Sequence, residues 1–180
     1  MKATGMVRRV DELGRIVIPK EIRKTLKIKE GEPLEIYVEK DNLLLKKYSK
    51  VGANTEIAEN IANALTETTE KSVIVTDTEC VIASSGKLKG LTGEKISNDA
   101  YKIISQQKSF AVNVEEGINL YQLTTGEEKG FSNQVILPII GKDGGGLGLI
   151  ALYGDKSGEQ INANTISLLR LATNILACGE

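Results

Sequence analysis

Four of the five arginines, Arg8, Arg9, Arg15 and Arg23, fall within the first 23 residues, with Lys20, Lys24 and Lys27 close by. A guanidinium keeps its charge and presents a planar fork of donors. Such a cluster suits phosphate oxygens and base edges, not proton transfer. The chain has no histidine, which removes the commonest general base, the commonest metal ligand and every Ser/His or Cys/His pair. Its two cysteines, Cys80 and Cys178, form no Cys-x-x-Cys pair. A reducing compartment fits them and a zinc site does not. Cys80 follows a turn into an apolar run and reads as a small buried hydrophobe.

Other arrangements that suggest chemistry resolve into plain structure. Gly144-Gly145-Gly146-Leu147-Gly148 resembles a phosphate loop only in composition: a strand follows it, not a helix N-terminus, so a hairpin turn is expected. The acidic pairs Glu115-Glu116 and Glu127-Glu128 lack the alternating oxygen ligands of a calcium loop and read as solvated. Gly86-Lys87-Leu88-Lys89-Gly90 with Gly93 is a loop with the composition of a lid. No catalytic set, metal or cofactor is expected.

The net charge of −1 hides an asymmetry. Residues 1–50 hold 13 Lys+Arg and 8 Asp+Glu, a net of +5, whereas residues 51–180 hold 10 and 16, a net of −6. A basic nucleic-acid module joined to an acidic body follows. No apolar run approaches the ~20 residues of a membrane span and no signal-peptide core follows Met1, so a cytoplasmic protein is expected.

The elements that must position the arginines can be read from turn chemistry. Residues 6–10 read as a short strand, Asp11-Glu12-Leu13-Gly14 as a turn with Gly14 at positive φ, and residues 15–18 as a second strand. Pro19 is expected at the first position of a helix reaching about Ile28, with Lys20, Arg23, Lys24 and Lys27 on one stripe. Leu34, Ile36 and Val38 then alternate with Glu35, Tyr37 and Glu39 in a half-buried strand. Asp41-Asn42 is expected to turn the chain into a last strand over 43–47. About fifty residues with few large apolar side chains and no staple are marginal alone, so two chains are expected to complete one core. On this evidence alone the arginines fit surface ion pairs as well: Arg15 with Asp11 or Glu12, Arg23 with an acid on a neighbouring strand.

The run Arg8-Arg9-Val10-Asp11-Glu12-Leu13-Gly14-Arg15-Ile16-Val17-Ile18-Pro19-Lys20-Glu21-Ile22-Arg23-Lys24, within a match from Lys2 to Leu26, resembles the N-terminal domain of AbrB-type transition-state regulators. The match extends through Leu34-Glu35-Ile36-Tyr37-Val38 and Leu45-Lys46-Lys47-Tyr48. The resemblance implies a swapped-hairpin β-barrel dimer that binds double-stranded DNA. It also implies a transcription factor of sporulation-stage gene expression, nucleoid-associated in a spore-forming bacterium. The family's DNA-contacting positions match Arg8, Arg15, Arg23 and Lys24, and Arg9 joins them by proximity. Lys24 stands where other members often have arginine. Lacking the bidentate fork, it is better suited to a phosphate than to a base edge.

Residues 49–54 read as a short polar linker with Gly52. Beyond it, a helix is expected over 55–69, strands over 72–77 and 80–84, a loop over 86–95 and a helix near 98–107. Further strands are expected over 110–114, 119–123, 134–140 and 147–153, with a turn over 142–146. A final helix is expected to start at Ser157, boxed by Gln160 and carrying Ile161, Ile166, Leu168, Leu169, Ala172, Ile175 and Leu176. This order describes an α+β sheet with packed helices and resembles a GAF domain over roughly 55–178. The expected organisation is therefore a swapped-hairpin DNA-binding domain over 1–50 and a GAF-like domain over 51–180. The second serves small-ligand sensing or oligomerisation, and apolar helix faces suit a homotetramer. Its ligand and ligand-binding residues are unknown. Two rivals stand beside this reading. Small swapped-hairpin modules also serve as antitoxins that neutralise a toxin, but those usually append a short disordered tail, unlike the apolar-patterned 51–180. GAF-like folds also include a sulfoxide reductase that uses several cysteines, against which the two distant cysteines here argue.

Overall fold

A computed structural model describes residues 4–113, 119–126, 130–155 and 161–178, and divides the chain into two units, Met1–Tyr48 and Ser49–Glu180.

In the first unit the turn at 11–14 forms as expected, with Gly14 at φ +76°. The flanking segments 6–10 and 15–18, expected as strands, form no ladder; the Asp11 N–H to Arg15 C=O bond (3.1 Å) closes only the turn. The reason lies in their side chains: Val7, Val10, Ile16 and Val17 are all exposed, so nothing in the same chain covers a sheet there. Helix α1 spans Lys20–Thr25 and is shorter than expected. Pro19 is its N-cap (φ −57°, ψ 146°), one residue before the first helical position. At the other end Lys27 turns to φ +52°, and the Ile28 and Lys27 N–H groups bond back to Arg23 O (2.8 Å) and Lys24 O (3.2 Å). This double closure caps the helix and takes Lys27 out of the expected stripe.

Strands β1 (Leu34–Glu39) and β2 (Asn42–Lys47) pair antiparallel with Ile36 opposite Leu45 and Val38 opposite Leu43. Their turn is Lys40-Asp41, with Lys40 at φ +53°, so Asn42 opens the strand instead of turning it. One face carries the apolar ladder; the other carries Glu35 opposite Lys46, with the Tyr37 hydroxyl donating to Glu35 (2.6 Å). Ile36, Val38, Leu43 and Leu45 remain 63, 77, 64 and 50% exposed. None of the described residues up to Tyr48 is buried.

The second unit begins earlier than a linker would allow. Ser49 Oγ accepts from Gly52 N–H (2.9 Å) and caps a helical turn, α2 (Lys50–Ala53), whose Val51 is wholly buried in the core. The expected linker is thus structural, because one apolar side chain anchors it. Helix α3 (Thr55–Thr69) follows, then β3 (Ser72–Thr76) and β4 (Val81–Ser85). Asp77 Oδ1 accepts from Glu79 and Cys80 N–H (2.7 and 2.8 Å) in the turn between them. The loop after β4 is stitched back onto it by Val81 N–H to Glu94 O (2.9 Å) and Gly93 N–H to Val81 O (2.8 Å), and Leu88 is buried. Helix α4 (Asn98–Gln106), capped by Ser97, leads to β5 (Phe110–Asn113). The expected strand over 119–123 does not form. The Gln134 side chain bonds both Tyr121 N–H and Tyr121 O at 2.9 Å, taking a neighbouring strand's place. Strands β6 (Asn133–Ile140) and β7 (Gly146–Gly154) and helix α5 (Ala163–Cys178) complete the unit. Asn162 caps α5, its Oδ1 accepting from Thr165 N–H (2.9 Å), so Ile161 precedes the helix. The expected Ser157–Gln160 box and both glutamate pairs lie outside the described residues.

The five strands form one antiparallel sheet in the order β4-β3-β7-β6-β5. Val73, Val75, Val135, Leu137, Ile150 and Leu152 face α3 and α5, meeting Ala58, Ala62, Leu65, Leu169, Ala172 and Leu176. Ile74, Ile136, Leu149, Ala151 and Tyr153 face α4 and its loops, meeting Leu88, Leu123, Ile103 and Ile104. Alternation along each strand therefore fills two cores. At Gly148 an added Cβ would stand 1.9 Å from the Thr76 carbonyl oxygen, a backbone atom with no side-chain freedom to yield. Gly148→Ala should lower the stability of this unit by about 1–3 kcal/mol. Native-state hydrogen exchange of β7 amides in the full-length chain checks this; unchanged protection would contradict it.

Candidate nucleic-acid interface

The sequence-predicted basic positions all lie in the first unit. Arg8 and Arg9 are exposed just before the 11–14 turn, and the Arg8 side chain donates to Val7 O (3.3 Å). Arg15 leaves the turn, while Arg23 and Lys24 sit on α1, Lys24 exposed and Arg23 half-buried. The structure thus sets the five positions in two groups, one around the turn and one on the helix.

The turn is organised by a single carboxylate. Asp11 Oδ1 accepts from Leu13 N–H (3.0 Å) and Arg15 N–H (2.8 Å), and Oδ2 accepts from Arg15 Nε (2.7 Å). Gly14 N–H to Asp11 O (2.9 Å) closes the same loop. Bonds from the Arg15 backbone N–H and then from its side chain hold the Asp11 carboxyl below its ordinary value of 3.8, against an opposing effect of desolvation, with a lesser contribution from Leu13 N–H. The expected Arg15–Asp11 ion pair is therefore present, with the Arg15 side chain 71% exposed. Sequence reasoning identified that pair but missed that the same carboxylate also shapes the loop. The four-residue spacing around a turn glycine was the available signal.

For Arg23 the expected acid partner is not found: its Nε is shielded from solvent and makes no hydrogen bond among the described residues. An unsatisfied donor shielded in this way costs stability and is not open to a group approaching from solvent. No acid or base poised for proton transfer accompanies these side chains. Among the described residues no three His, Cys, Asp or Glu side chains gather to hold a metal ion. The arrangement can attract and orient anionic oxygens and hydrogen-bond acceptors.

In the second unit the position between the sheet and α4 is filled by Tyr153, Ile136, Leu149, Leu123 and Ile103, all buried. Phe131 packs on Tyr153 with ring centroids 5.1 Å apart. Cys80 is half-buried and Cys178 exposed. No helix among the described residues is long and apolar enough to cross a membrane.

Comparison with known proteins gives separate matches for the two parts of the chain. The family model for the stage V sporulation protein T C-terminal region, described as a transcription factor, matches residues 55–178. The model for MazE, a bacterial antitoxin described as an antidote in toxin recognition, matches residues 7–53. Stage V sporulation protein T of Bacillus subtilis (strain 168) is 38% identical over 155 residues, 85% of this chain and 85% of that protein. The transition state regulatory protein AbrB of the same organism is 62% identical over 48 residues, 27% of this chain and 50% of that protein. Among solved structures, the GAF domain of a phosphoenolpyruvate-protein phosphotransferase from Acinetobacter overlays with a TM-score of 0.57 at 10% identity. That overlay covers 71% of this chain and 86% of that one, a likeness of fold alone. An AbrB-like N-terminal unit followed by a GAF-like α+β unit, matched along most of its length, makes this chain a member of the stage V sporulation protein T family of transcription factors.

Proposed function

We propose that the chain regulates sporulation-stage transcription by binding double-stranded DNA through Arg8, Arg9, Arg15, Arg23 and Lys24 of a first-unit dimer. The observation that carries this reading is a set of basic side chains, all exposed but the half-buried Arg23, on a unit of net charge +4 with no buried residue among those described. Basic charge without a cleft or acid–base pair is suited to phosphates, and fork-shaped donors among it are suited to base edges. The exposed ladder of Ile36, Val38, Leu43 and Leu45 supports a second copy as the missing half of the core. The protein would then act in the cytoplasm on nucleoid DNA, without catalysis. No histidine is available to activate a thiolate.

The second unit supports assembly. Ile57 on α3 and Leu168, Leu171 and Ile175 on α5 remain exposed on helices that pack side by side, and spacings of three and four residues align the α5 set. A face of this kind suits pairing of two dimers into a tetramer. The filled core on the α4 side of the sheet favours oligomerisation over a resident small ligand.

DNA binding should be steeply salt-dependent. A dimer neutralising ~6 phosphates gives a log–log slope of roughly −5. Arg15→Ala and Arg23→Ala should each weaken binding to a selected duplex by about 1–3 kcal/mol while circular dichroism stays unchanged. Lys24→Ala should weaken specific and non-specific duplexes together. Unaltered affinity in both arginine variants would overturn the assignment, and capture of a toxin with no DNA affinity would favour the antitoxin reading instead.

Leu171→Glu places a charge in the centre of the exposed α5 face. Sedimentation at micromolar concentration should show tetramers for the unaltered chain and dimers for this variant, with no folded monomer in either. A compact monomer would refute the shared-core dimer. Tetramers of the variant would refute the α3–α5 contact.

A further inference from the structure

The Asp11 carboxylate is out of place on a surface meant for DNA. It adds a negative charge beside Arg8, Arg9 and Arg15 in sequence, where phosphates must approach. Closing the turn accounts for only one of its oxygens. Oδ1 takes the Leu13 and Arg15 backbone N–H groups, and a neutral amide oxygen would serve there as well. Oδ2 is engaged by the Arg15 side chain alone, through Nε at 2.7 Å. A guanidinium has five N–H donors in a fixed plane, and Nε carries one of them. Among the described residues, the four Nη–H donors of Arg15 make no hydrogen bond.

We propose that Asp11 is a positioning residue for DNA discrimination: it fixes Arg15 through Nε and cancels its charge, leaving the end-on fork of Nη donors for a base edge. The inference rests on the reading of Arg15 as a DNA contact. Its physical content is a separation of two kinds of affinity. Non-specific binding tracks the net positive charge offered to phosphates, which Asp11 reduces. Specific binding tracks hydrogen bonds whose geometry is set before the DNA arrives, which Asp11 supplies to a long side chain otherwise free to rotate. One carboxylate thus weakens the general attraction and sharpens the choice among sequences. Among the described residues the Arg15 side chain pairs with Asp11 and not with the adjacent Glu12.

The test uses the full-length chain carrying Asp11→Asn, Arg15→Ala or both. Affinity is measured across a salt series for a duplex selected from a randomised pool by the unaltered protein, and for poly(dI–dC). Asn keeps an oxygen for the two turn N–H groups, and an amide proton spectrum confirms that the turn persists. Asp11→Asn should raise poly(dI–dC) affinity about threefold to tenfold and steepen its salt slope by about 1–2 for a dimer. The preference for the selected duplex should fall by about tenfold. In the Arg15→Ala background the same change should leave that preference untouched, because Asp11 acts through Arg15. If Asp11→Asn weakens both DNAs alike, or leaves slope and preference unchanged, Asp11 is only a turn residue and the inference fails. If Arg15→Ala leaves all DNA binding unchanged, the Arg15 assignment fails, and the Asp11 role falls with it.

Discussion

The first unit orders some 45 residues without burying one of them, and this constraint governs the rest of the molecule. Fixing each residue costs about 1–2 kcal/mol of conformational entropy, and an isolated two-stranded hairpin is marginal in water. The missing compensation must come from outside the chain. The swapped pairing of two copies proposed above would supply it, because the apolar ladder of β1 and β2 and the unpaired segments 6–10 and 15–18 are left over in each copy. On that reading DNA binding and dimerisation are one event. The basic side chains would then be held in place by the same pairing that completes the core. A two-fold protein surface then reads two-fold-related DNA half-sites.

The second unit solves the same problem inside one chain. Its sheet is buried on both faces, by α3 and α5 on one side and α4 with its loops on the other, so it needs no partner to fold. What such a fold demands of sequence is alternation, caps and a few small residues where backbones meet, as at Gly148 against Thr76. Many side chains meet those demands. A GAF domain from another organism can therefore share the architecture at 10% identity while saying nothing of ligand. The Tyr153 ring is buried in the α4-side core, with Phe131 packed on it.

Sequence reasoning succeeded where the determinant was local. The Asp11–Gly14 turn, the alternation of Leu34, Ile36 and Val38, and the charge asymmetry between the halves are all carried by neighbouring residues. The AbrB-type and GAF-like architecture was legible for the same reason. It failed where a distant or absent group decides. The segments 6–10 and 15–18 have the composition of strands but lack a partner in their own chain. Residues 119–123 lost their ladder to one amide, that of Gln134, which periodicity cannot anticipate. Helix α1 stopped early because Lys27 accepts a left-handed conformation that sequence statistics assign to Gly31. Polar composition made residues 49–54 look like a linker, yet Val51 alone seats them in the second core. In the interface the basic positions were visible, whereas the double use of Asp11 was not, since spacing shows an ion pair but not which oxygen makes it.

The seating of Val51 bears on how the two units work together. Strand β2 ends at Lys47 and α2 begins at Lys50, so only Tyr48 and Ser49 lie between two ordered elements. If second units associate through α3 and α5 as proposed, the first units they carry would be held at a higher effective concentration, and pairing of first units would become intramolecular. Assembly of the acidic body would then stabilise the basic dimer without touching DNA. By linkage, DNA that holds the first units together strengthens assembly of the second by the same free energy. Control over transcription can enter this molecule through any influence on the α3–α5 face, with no change at Arg8, Arg15 or Arg23. Sensing of this kind requires only that the regulator's stoichiometry respond to its surroundings, and the filled GAF-like core is compatible with it.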